Sequence, residues 1–354
     1  MKRLDSLQIL RGIAACAVTL HHAVAVTERF VGATGPLAGH SPLGLLGVDL
    51  FFVLSGFIIL NSHFDDPQGF AAAWRYAVKR LLRIFVPYLP ITLVYATALS
   101  AMPGLSDSGR SWSLVSSLTL LPMQQPPVLL QAWTLVHELL FYGVFLAFFA
   151  SRMAFAWLVL AWGTLLLIAP NGWLQETPLP VVHRLMAPLN LEFCLGMAAA
   201  WALRRFDLIA VGKALATAGF ALLMVLVLLT SHIQQDVEAN RLYFGVGFTV
   251  LIVGLAAWES KSSSPPYRGQ SKRWVGLLVW LGDSSYSQYL VHFAVVSVVA
   301  RVASKVVQPG LAIPVVGVCL ALVIVVTAVY YAQIERRGVA ATRAWIGARR
   351  AASQ

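Results

Sequence analysis

The chain has 354 residues, of which 58% are hydrophobic and only 12% are charged, and its formal net charge is +11. A soluble domain can neither bury nor leave exposed this much apolar surface, and the mean hydropathy of +0.74 leads to the same conclusion. The composition therefore excludes a soluble globular protein and indicates an integral membrane protein with the lipid bilayer as its surroundings.

Apolar runs recur along the whole chain, and crossing a bilayer takes about 20 residues of helix. Continuous runs such as LATAGFALLMVLVLLTS exclude the short alternating segments of a transmembrane β-barrel. The pattern predicts an all-α fold, a polytopic transmembrane helical bundle of about ten helices. The predicted spans are 7–27, 43–62, 84–101, 132–150, 153–169, 188–203, 208–231, 242–258, 282–303 and 312–333.

The basic residues predict the orientation of this bundle. With the N-terminus inside the cell, most lysines and arginines fall on the cytoplasmic side, where positive residues are retained. Both termini are therefore expected in the cytoplasm, and no nucleic acid is needed to explain the net charge. The basic residues on the other side are Arg29, Arg110, Arg184, Arg241, Arg301 and Lys305.

The first span has an alternative interpretation as a cleaved signal peptide. Lys2 and Arg3 precede an apolar core, and AVA at 23–25 resembles a cleavage site. Because Arg11 and a histidine pair interrupt that core, we expect the helix to be retained. The three cysteines fall inside predicted spans and no CxxC, HExxH, P-loop or GxGxxG pattern occurs, so neither a disulfide framework nor a metal site is predicted.

Three ionisable residues lie in the first span: Arg11, His21 and His22. Arg11 and His22 are eleven residues apart, which is three helical turns, so both lie on one face about 16 Å apart along the axis. His21 points elsewhere. An ionisable group within a bilayer normally faces the bundle interior or a wet cavity, which favours a function for Arg11 and His22. In the structural alternative, Arg11 extends to one interface and the histidines lie near the other.

Four later spans also contain polar or ionisable side chains. Any one of these groups is compatible with a hydrogen bond between helices. Ionisable groups in five spans together instead predict a shared polar cavity, and the residues of the ninth span form one stripe by their i, i+3, i+4, i+7 spacing. The residues are Asp49 and Ser55 in the second span, Glu138 and Tyr142 in the fourth, Glu192 in the sixth, and Ser285, Gln288, Tyr289 and His292 in the ninth.

The predicted loop RYAVKRLLRIFVPY at 75–88 is rich in basic residues. Arg80 and Arg83 are three residues apart at the mouth of the third span, so on a helical turn they face the same way and are suited to grip a phosphate between them. The alternative is that these residues are ordinary topology signals flanking a span.

Six segments of the chain, taken in order, resemble the acyltransferase-3 family of membrane-bound O-acyltransferases, in particular members that acetylate bacterial exopolysaccharide, O-antigen or nodulation-factor sugars. The segments are RGIAACAVTLHHA, GVDLFFVLSGFII, KRLLRIFVPY, WTLVHELLFY, EFCLGM and LGDSSYSQYLVH. The resemblance covers nearly the full chain. It implies a ten-helix bundle that takes an acyl group from cytoplasmic acyl-CoA and passes it to a hydroxyl, often on a glycan.

The resemblance also implies roles for individual residues. The family's Arg and His of the first helix match Arg11 and His22, its RxxR pair matches Arg80 and Arg83, and its glutamate after W(S/T)L matches Glu138. The RxxR pair is expected to bind the phosphates of acetyl-CoA or another acyl-CoA, and no metal is expected. His22 is expected to act as general base or as acyl carrier.

Further site residues are expected around this pair. Glu138 or Asp49 is expected to orient the imidazole of His22, and Arg11 to stabilise the thioester or the CoA arm. Substrate binding is expected of Glu192, Asp283, Ser285, Tyr289 and His292.

The implied protein has a transmembrane acyltransferase domain at 1–335 and a basic cytoplasmic tail at 336–354. It is expected in the bacterial cytoplasmic (inner) membrane. Its expected partner is a glycan or another acceptor with a hydroxyl group, and the sequence is compatible with an oligomer. The competing class is a secondary transporter, in which the same buried side chains relay protons. The chain has no visible inverted repeat, and a scaffold without chemistry leaves the Arg11 and His22 pair unexplained, so the enzyme is favoured.

Overall fold

The computed structural model describes residues 4–101, 111–168, 179–233, 241–261 and 272–351. Within these ranges the protein is built of helices, with 3-10 turns at Ser41–Leu45, Leu130–Ala132 and Pro309–Leu311 and a π-helix at Tyr331–Glu335. The α-helices are α1 (Asp5–Phe30), α2 (Pro36–His40), α3 (Leu46–His63), α4 (Phe70–Ala101), α5 (Leu114–Thr119), α6 (Trp133–Phe145), α7 (Ala147–Ala150), α8 (Arg152–Ile168), α9 (Pro180–Leu185), α10 (Asn190–Arg205), α11 (Gly212–Ile233), α12 (Arg241–Lys261), α13 (Lys272–Asp283), α14 (Ser285–Val306), α15 (Ala312–Tyr330) and α16 (Arg336–Ala351).

The helical bundle predicted from the sequence is confirmed. Two of the ten predicted spans fall on shorter helices, α8 with 17 residues and α10 with 16, so the count of ten stays a prediction. In the described part of the chain, eight segments are long and apolar enough to cross a bilayer: Asp5–Phe30, Ser41–His63, Phe70–Ala101, Leu130–Ala150, Gly212–Thr230, Arg241–Ser260, Ser285–Val306 and Ala312–Thr342.

The packing of α1 against α3 defines the two ends of the bundle. An added Cβ at Gly44 would meet His21, and one at Gly47 would meet Val18, so α1 and α3 run antiparallel. We call the end where α1 begins and α3 ends the basic end, because Lys79 and Arg80 lie there; the opposite end is the far end. The cytoplasmic location of both termini stays a prediction, and Lys2, Arg3, Arg110 and Arg268 lie outside the described residues.

The expectation of a loop at 75–88 is wrong, because α4 runs without a break from Phe70 to Ala101. Tyr76, Ile84 and Tyr88 are buried, and their spacings of eight and four residues put them on one helical face. This apolar stripe continues the helix well before the predicted start of the third span. The two arginines of the segment therefore lie on a helix rather than in a loop.

Close helix packing surrounds the site. At the crossing of α3 and α10, a Cβ added at Gly56 or Gly196 would collide with a backbone carbonyl of the other helix, that of Phe193 or Val53. Only glycine permits this approach, which brings the aromatic rings of Phe52 and Phe193 to 4.7 Å between centroids. The crossing holds the second and sixth predicted spans firmly together.

Two buried glutamates complete the first turns of helices to which they do not belong. Glu259 of α12 accepts hydrogen bonds from the backbone N–H groups of Asp5 and Ser6, at 2.8 and 3.1 Å. Glu335, at the end of the π-helix, accepts from the backbone N–H of Ser287 at 3.1 Å and from its hydroxyl at 2.5 Å. Unpaired N–H groups and the helix dipole both favour a carboxylate at these positions, so α1 and α14 begin at fixed points.

The C-terminal segment is helical and packs on the bundle. The predicted division at residue 335 falls where the π-helix gives way to α16. A Cβ added at Gly338 would press on the side chain of Val86 in α4. The first part of α16 therefore lies against α4 at the basic end, and residues 352–354 lie outside the described part.

Candidate active site

A cavity of about 670 Å³ extends into the bundle from the basic end. Its entrance is formed by Lys79 on α4 and by Val339 and Thr342 on α16. Its inner end is lined by Tyr289 and Thr134, whose hydroxyl groups are 2.6 Å apart. Because Lys79 is exposed while Tyr289 is buried, the cavity connects the surface of the basic end with the interior of the bundle.

Arg80 lies in the wall of this cavity between a histidine and two tyrosines. Its guanidinium is 3.1 Å from Nε2 of His63, and it lies over the rings of Tyr76 and Tyr142 at 5.8 and 5.4 Å from their centroids. The Nδ1 atom of His63 is in turn 2.7 Å from a carboxylate oxygen of Asp66. Arg80 is therefore held by hydrogen bonding and by cation–π contacts at once.

Arg83 lies in the same wall but has different partners. It forms an ion pair of 3.2 Å with the buried carboxylate of Glu335, and it lies 6.0 Å from the ring centroid of Tyr286. The sequence predicts that both arginines face one way, and both do line the cavity. Each guanidinium nevertheless has its own anchor, so the two are independent positive groups at the entrance.

Glu138 also lines the cavity, and it accepts a short hydrogen bond from the hydroxyl of Tyr142. The sequence offered Glu138 or Asp49 as the group that orients His22. The described hydrogen bonds of Glu138 go to Tyr142, and those of Asp49 go to Arg241. The structure thus places Glu138 beside Arg80, on the tyrosine that Arg80 covers, because α6 directs it toward the basic end.

Arg11 also lines the cavity, within electrostatic reach of Arg83. It is half-buried, and its guanidinium donates a hydrogen bond of 3.2 Å to the side chain of Gln8. Its electrostatic neighbours include the carboxylates of Glu335, Glu138 and Asp283. An arginine keeps its charge in such surroundings, so Arg11 is available to an anionic or polarised group in the cavity.

His22 lies beyond the inner end of the cavity, next to a second histidine. The ring centroids of His22 and His292 are 5.1 Å apart, and that of His292 is 5.6 Å from Tyr289. His21 has a different partner, the carbonyl of Ser41 at 2.9 Å, which agrees with the prediction that it points elsewhere, although its ring still touches that of His22. The two predicted spans that supply His22 and His292 therefore meet through these imidazoles.

The hydrogen bonds of the two imidazoles assign their tautomers. Nδ1 of His22 lies 3.0 Å from the carbonyl of Val18, and Nδ1 of His292 lies 2.7 Å from the carbonyl of Tyr289. A carbonyl oxygen only accepts, so each Nδ1 donates its proton, and each Nε2 of the neutral ring has a free lone pair. Both imidazoles are thereby prepared to accept a proton at Nε2.

The polar stripe predicted on the ninth span is present on α14, but its residues contact different parts of the protein. Ser285 and Tyr289 line the cavity, and the buried hydroxyl of Ser285 has no hydrogen-bond partner among the described residues. Gln288 bonds Thr19 of α1 at 3.0 Å. Asp283 ends α13, so the break between α13 and α14 separates it from the stripe.

A second group of ionisable residues lies near the far end, outside the cavity lining. Asp49 is fully buried, and its carboxylate pairs with Arg241 at 2.6 Å. Glu192 is also buried and lies within electrostatic reach of both. We call Asp49, Glu192 and Arg241 the far-end cluster. The predicted shared cavity thus gathers Arg11, Ser55, Glu138 and Tyr289, whereas α10 contributes Phe193 rather than Glu192.

A family model described as an acyltransferase domain, the acyltransferase-3 domain, matches residues 4–332. The chain belongs to this acyltransferase family. It is 31% identical over 278 residues to the exopolysaccharide production protein ExoZ of Rhizobium meliloti strain 1021, covering 74% of this chain and 80% of that protein. No solved structure matches the chain. The family recognised from six segments of sequence is confirmed, and the integral membrane acyltransferase is favoured over the transporter.

Sequence reasoning missed several residues of this acyltransferase that shape the cavity. His63 and Asp66 were passed over because they follow the second predicted span, yet an i, i+3 pair of histidine and acid is a recognisable signal. Glu335 is a single acid next to the basic residues of the C-terminal segment. In the sequence, only that position indicates that it pairs with a basic residue. Val339 and Thr342 of α16 carry no signal, since only the packing of α16 on α4 brings them to the entrance.

Proposed function

We propose that this membrane acyltransferase moves an acyl group, most simply acetyl, from acyl-CoA to a hydroxyl of a glycan in exopolysaccharide production. One observation carries the proposal: a cavity of about 670 Å³ leads from Lys79, Arg80 and Arg83 to Tyr289, whose ring contacts His292 beside His22. The similarity to a protein named for exopolysaccharide production supports the class of acceptor.

The shape and charge of the cavity suit the donor. Its volume lies within the range of about 300–1,000 Å³ that is usual for small-molecule sites. Acyl-CoA has a phosphate-rich nucleotide and a long thin arm, so three cations at a solvent-facing entrance suit the phosphates. The aromatic and aliphatic side chains farther in, such as Phe51 and Ile58, suit the arm. The thioester then lies near Tyr289 and Ser285, below the histidines.

The proposed chemistry uses the free lone pair on Nε2 of His22. The imidazole accepts the proton of the acceptor hydroxyl, and the oxygen forms a bond to the acyl carbon. The bond from carbon to sulfur breaks, CoA leaves as a thiolate, and the thiolate takes the proton from His22. In the alternative order, Nε2 of His22 first forms a bond to the acyl carbon while the carbon–sulfur bond breaks and CoA leaves as a thiolate. The acceptor oxygen then attacks the acyl carbon, the bond to Nε2 breaks, and the hydroxyl proton goes to the thiolate. Arg11, whose guanidinium contacts Gln8 on the side of α1 away from His22, is proposed to contact the CoA arm, the second of the two roles expected from the sequence.

The remaining assignments follow the orientation expected from the basic residues. With the basic end in the cytoplasm, the donor enters from the cytoplasm and the acceptor approaches His22 from the far end. Ser285, Tyr289 and His292 are then proposed to contact the reacting groups. Glu192 and Asp283 stay candidates for substrate binding, and the bacterial cytoplasmic membrane stays the proposed location.

The proposal is tested with purified protein in proteoliposomes that receives acetyl-CoA labelled in the acetyl group and an oligosaccharide of the host exopolysaccharide. We expect label on a sugar oxygen, released by mild base, and free CoA in equal amount. Mass spectrometry of surface glycans from cells with and without the protein identifies the acceptor. CoA release without label on any glycan, or host glycans unchanged by loss of the protein, would contradict the proposed acceptor.

A further inference from the structure

Three side chains are linked in a row at the entrance of the cavity, and two of them, His63 and Asp66, lie outside every segment that identified the family. Asp66 contacts Nδ1 of His63 at 2.7 Å, and Nε2 of His63 contacts the guanidinium of Arg80 at 3.1 Å. His63 is only 12% exposed, whereas Asp66 is 45% exposed. The carboxylate therefore faces solvent, whereas the largely buried imidazole lies in the wall of the cavity.

These contacts allow a single protonation state of His63. A guanidinium has only donors, so Nε2 must accept from Arg80. A carboxylate has only acceptors, so Nδ1 must donate to Asp66. The neutral imidazole with its proton on Nδ1 satisfies both contacts, and the protonated imidazole loses the lone pair that Arg80 needs. Asp66 thus fixes the tautomer that lets His63 hold Arg80.

Packing leaves the imidazole little freedom to turn away. The ring of His63 contacts those of Tyr76, Phe145 and Phe149, with centroids 5.1, 6.2 and 6.1 Å away. The charged and titratable groups that face it are Asp66 on the segment after α3, and Lys79 and Arg80 on α4. Tyr76 packs against this pair and contacts both His63 and Arg80.

We propose that His63 is a positioning residue for donor binding, which holds the guanidinium of Arg80 in the orientation that receives a phosphate of acyl-CoA. This inference rests on the proposed function for the identity of the donor. A long flexible arginine loses less freedom on binding when it is already held, so the contact of His63 with Arg80 raises donor affinity through Arg80. Protonation of His63 removes the acceptor and sets a positive charge against the guanidinium of Arg80, 3.1 Å away, which repels it from this position, so the contribution of His63 to donor affinity is lost as pH falls.

The experiment measures the CoA dissociation constant by calorimetry in detergent, together with KM for acetyl-CoA and kcat, at several values between about pH 5 and 8, where histidine titrates. His63→Phe keeps a ring against Tyr76 but removes both hydrogen bonds. His63→Gln keeps an acceptor for Arg80 and cannot titrate. His183→Phe, a half-buried histidine of α9 outside the cavity lining, is the matched control.

We expect His63→Phe to raise both the dissociation constant and KM about fivefold at neutral pH, as for the loss of one hydrogen bond, while kcat is kept. His63→Gln should stay within about twofold of the wild type and lose the rise in KM at low pH. Asp66→Ala, at a more exposed position, tests the same linked side chains if His63→Phe folds poorly, and should raise KM about twofold to threefold.

Three results would overturn the inference: an unchanged CoA affinity in folded His63→Phe, an equal loss in His63→Phe and His63→Gln, or a loss confined to kcat. The proposed function fails separately. If CoA binds and its affinity depends on His63 but no acyl group reaches a glycan, the positioning role stands and the proposed acceptor falls. If acyl transfer proceeds with an affinity independent of His63, the reverse holds.

Discussion

The basic end of the cavity and the far-end cluster both bury charge in an apolar bundle, yet they differ in what surrounds it. At the basic end, Arg80 and Arg83 lie in the wall of a cavity that reaches the surface. At the far end, Asp49 and Arg241 pair directly, and neither lines that cavity. An ionisable residue in a membrane span is thus a candidate for function, but an adjacent cavity is what distinguishes a binding site from a buried ion pair.

His22 lies between these regions, and its replacement is expected to have the largest effect on catalysis. If Nε2 of His22 is the general base, His22→Ala should lower acyl transfer by about 10²–10⁴-fold, and a lost acyl carrier would cost more. CoA affinity should be unchanged, because His22 does not line the cavity. His21→Ala is the matched control and should keep much of the activity, since His21 bonds the carbonyl of Ser41.

The measurement is acylated product per unit of folded protein, with CoA release recorded in the absence of acceptor to separate the general base from the acyl carrier. Equal losses in the two variants, or an active His22→Ala protein, would move the proton chemistry to another group. His292, whose Nε2 also has a free lone pair, is the next residue to replace.

The sequence predicted the helices far better than it predicted which side chains contact one another. Hydropathy located the spans because each needs a long apolar run, and periodicity placed Arg11 and His22 on one side of α1. It did not reveal that Arg80 covers the ring of Tyr142, that Asp49 pairs with Arg241, or that Glu335 contacts Arg83. These partners are distant in sequence, and only packing brings them together.

The far-end cluster is expected to stabilise the fold rather than to bind the donor. Asp49→Asn removes one of the two carboxylates near Arg241, the one that pairs with it at 2.6 Å, and breaking a buried ion pair by removing one partner typically costs up to about 3–5 kcal/mol. The control is Asp65→Asn, which breaks the exposed pair with Arg204, with Asp65 78% exposed, and should cost about 0–1 kcal/mol. Denaturant unfolding in detergent, followed by circular dichroism, gives both values.

The same variant decides between the two roles considered for Asp49. A lower unfolding free energy with unchanged CoA affinity and unchanged rate per folded molecule supports the structural role. An unchanged unfolding free energy with a large loss of transfer rate would support the catalytic role expected from the sequence. The far-end cluster would then be functional, as the basic end is proposed to be.

At the basic end, removing one guanidinium should weaken CoA binding about tenfold, because a hydrogen bond to a charged group is worth about 1.5–3 kcal/mol. We expect this of Arg80→Ala and of Arg83→Ala, with only partial recovery in the lysine variants, which lack the planar fork. Arg75→Ala, an exposed residue of the same helix outside the cavity lining, is the control. If calorimetry finds an unchanged CoA affinity in a folded variant with both arginines replaced by alanine, the two arginines do not form the phosphate site.

The smallest effect is expected at α16, which the sequence assigned to a tail and the structure places at the entrance. Thr342 lines the cavity, whereas its neighbour Ala341 is exposed. Thr342→Trp adds a large side chain where the donor enters, so KM for acyl-CoA should rise several-fold with kcat kept. Ala341→Trp adds the same side chain toward solvent and should leave KM unchanged. Because the two positions are adjacent on one helix, the pair separates obstruction of the entrance from any general effect of tryptophan. If both variants keep the wild-type KM, residues 336–351 take no part in the donor site, and the basic end is formed by α3, α4 and the π-helix without them.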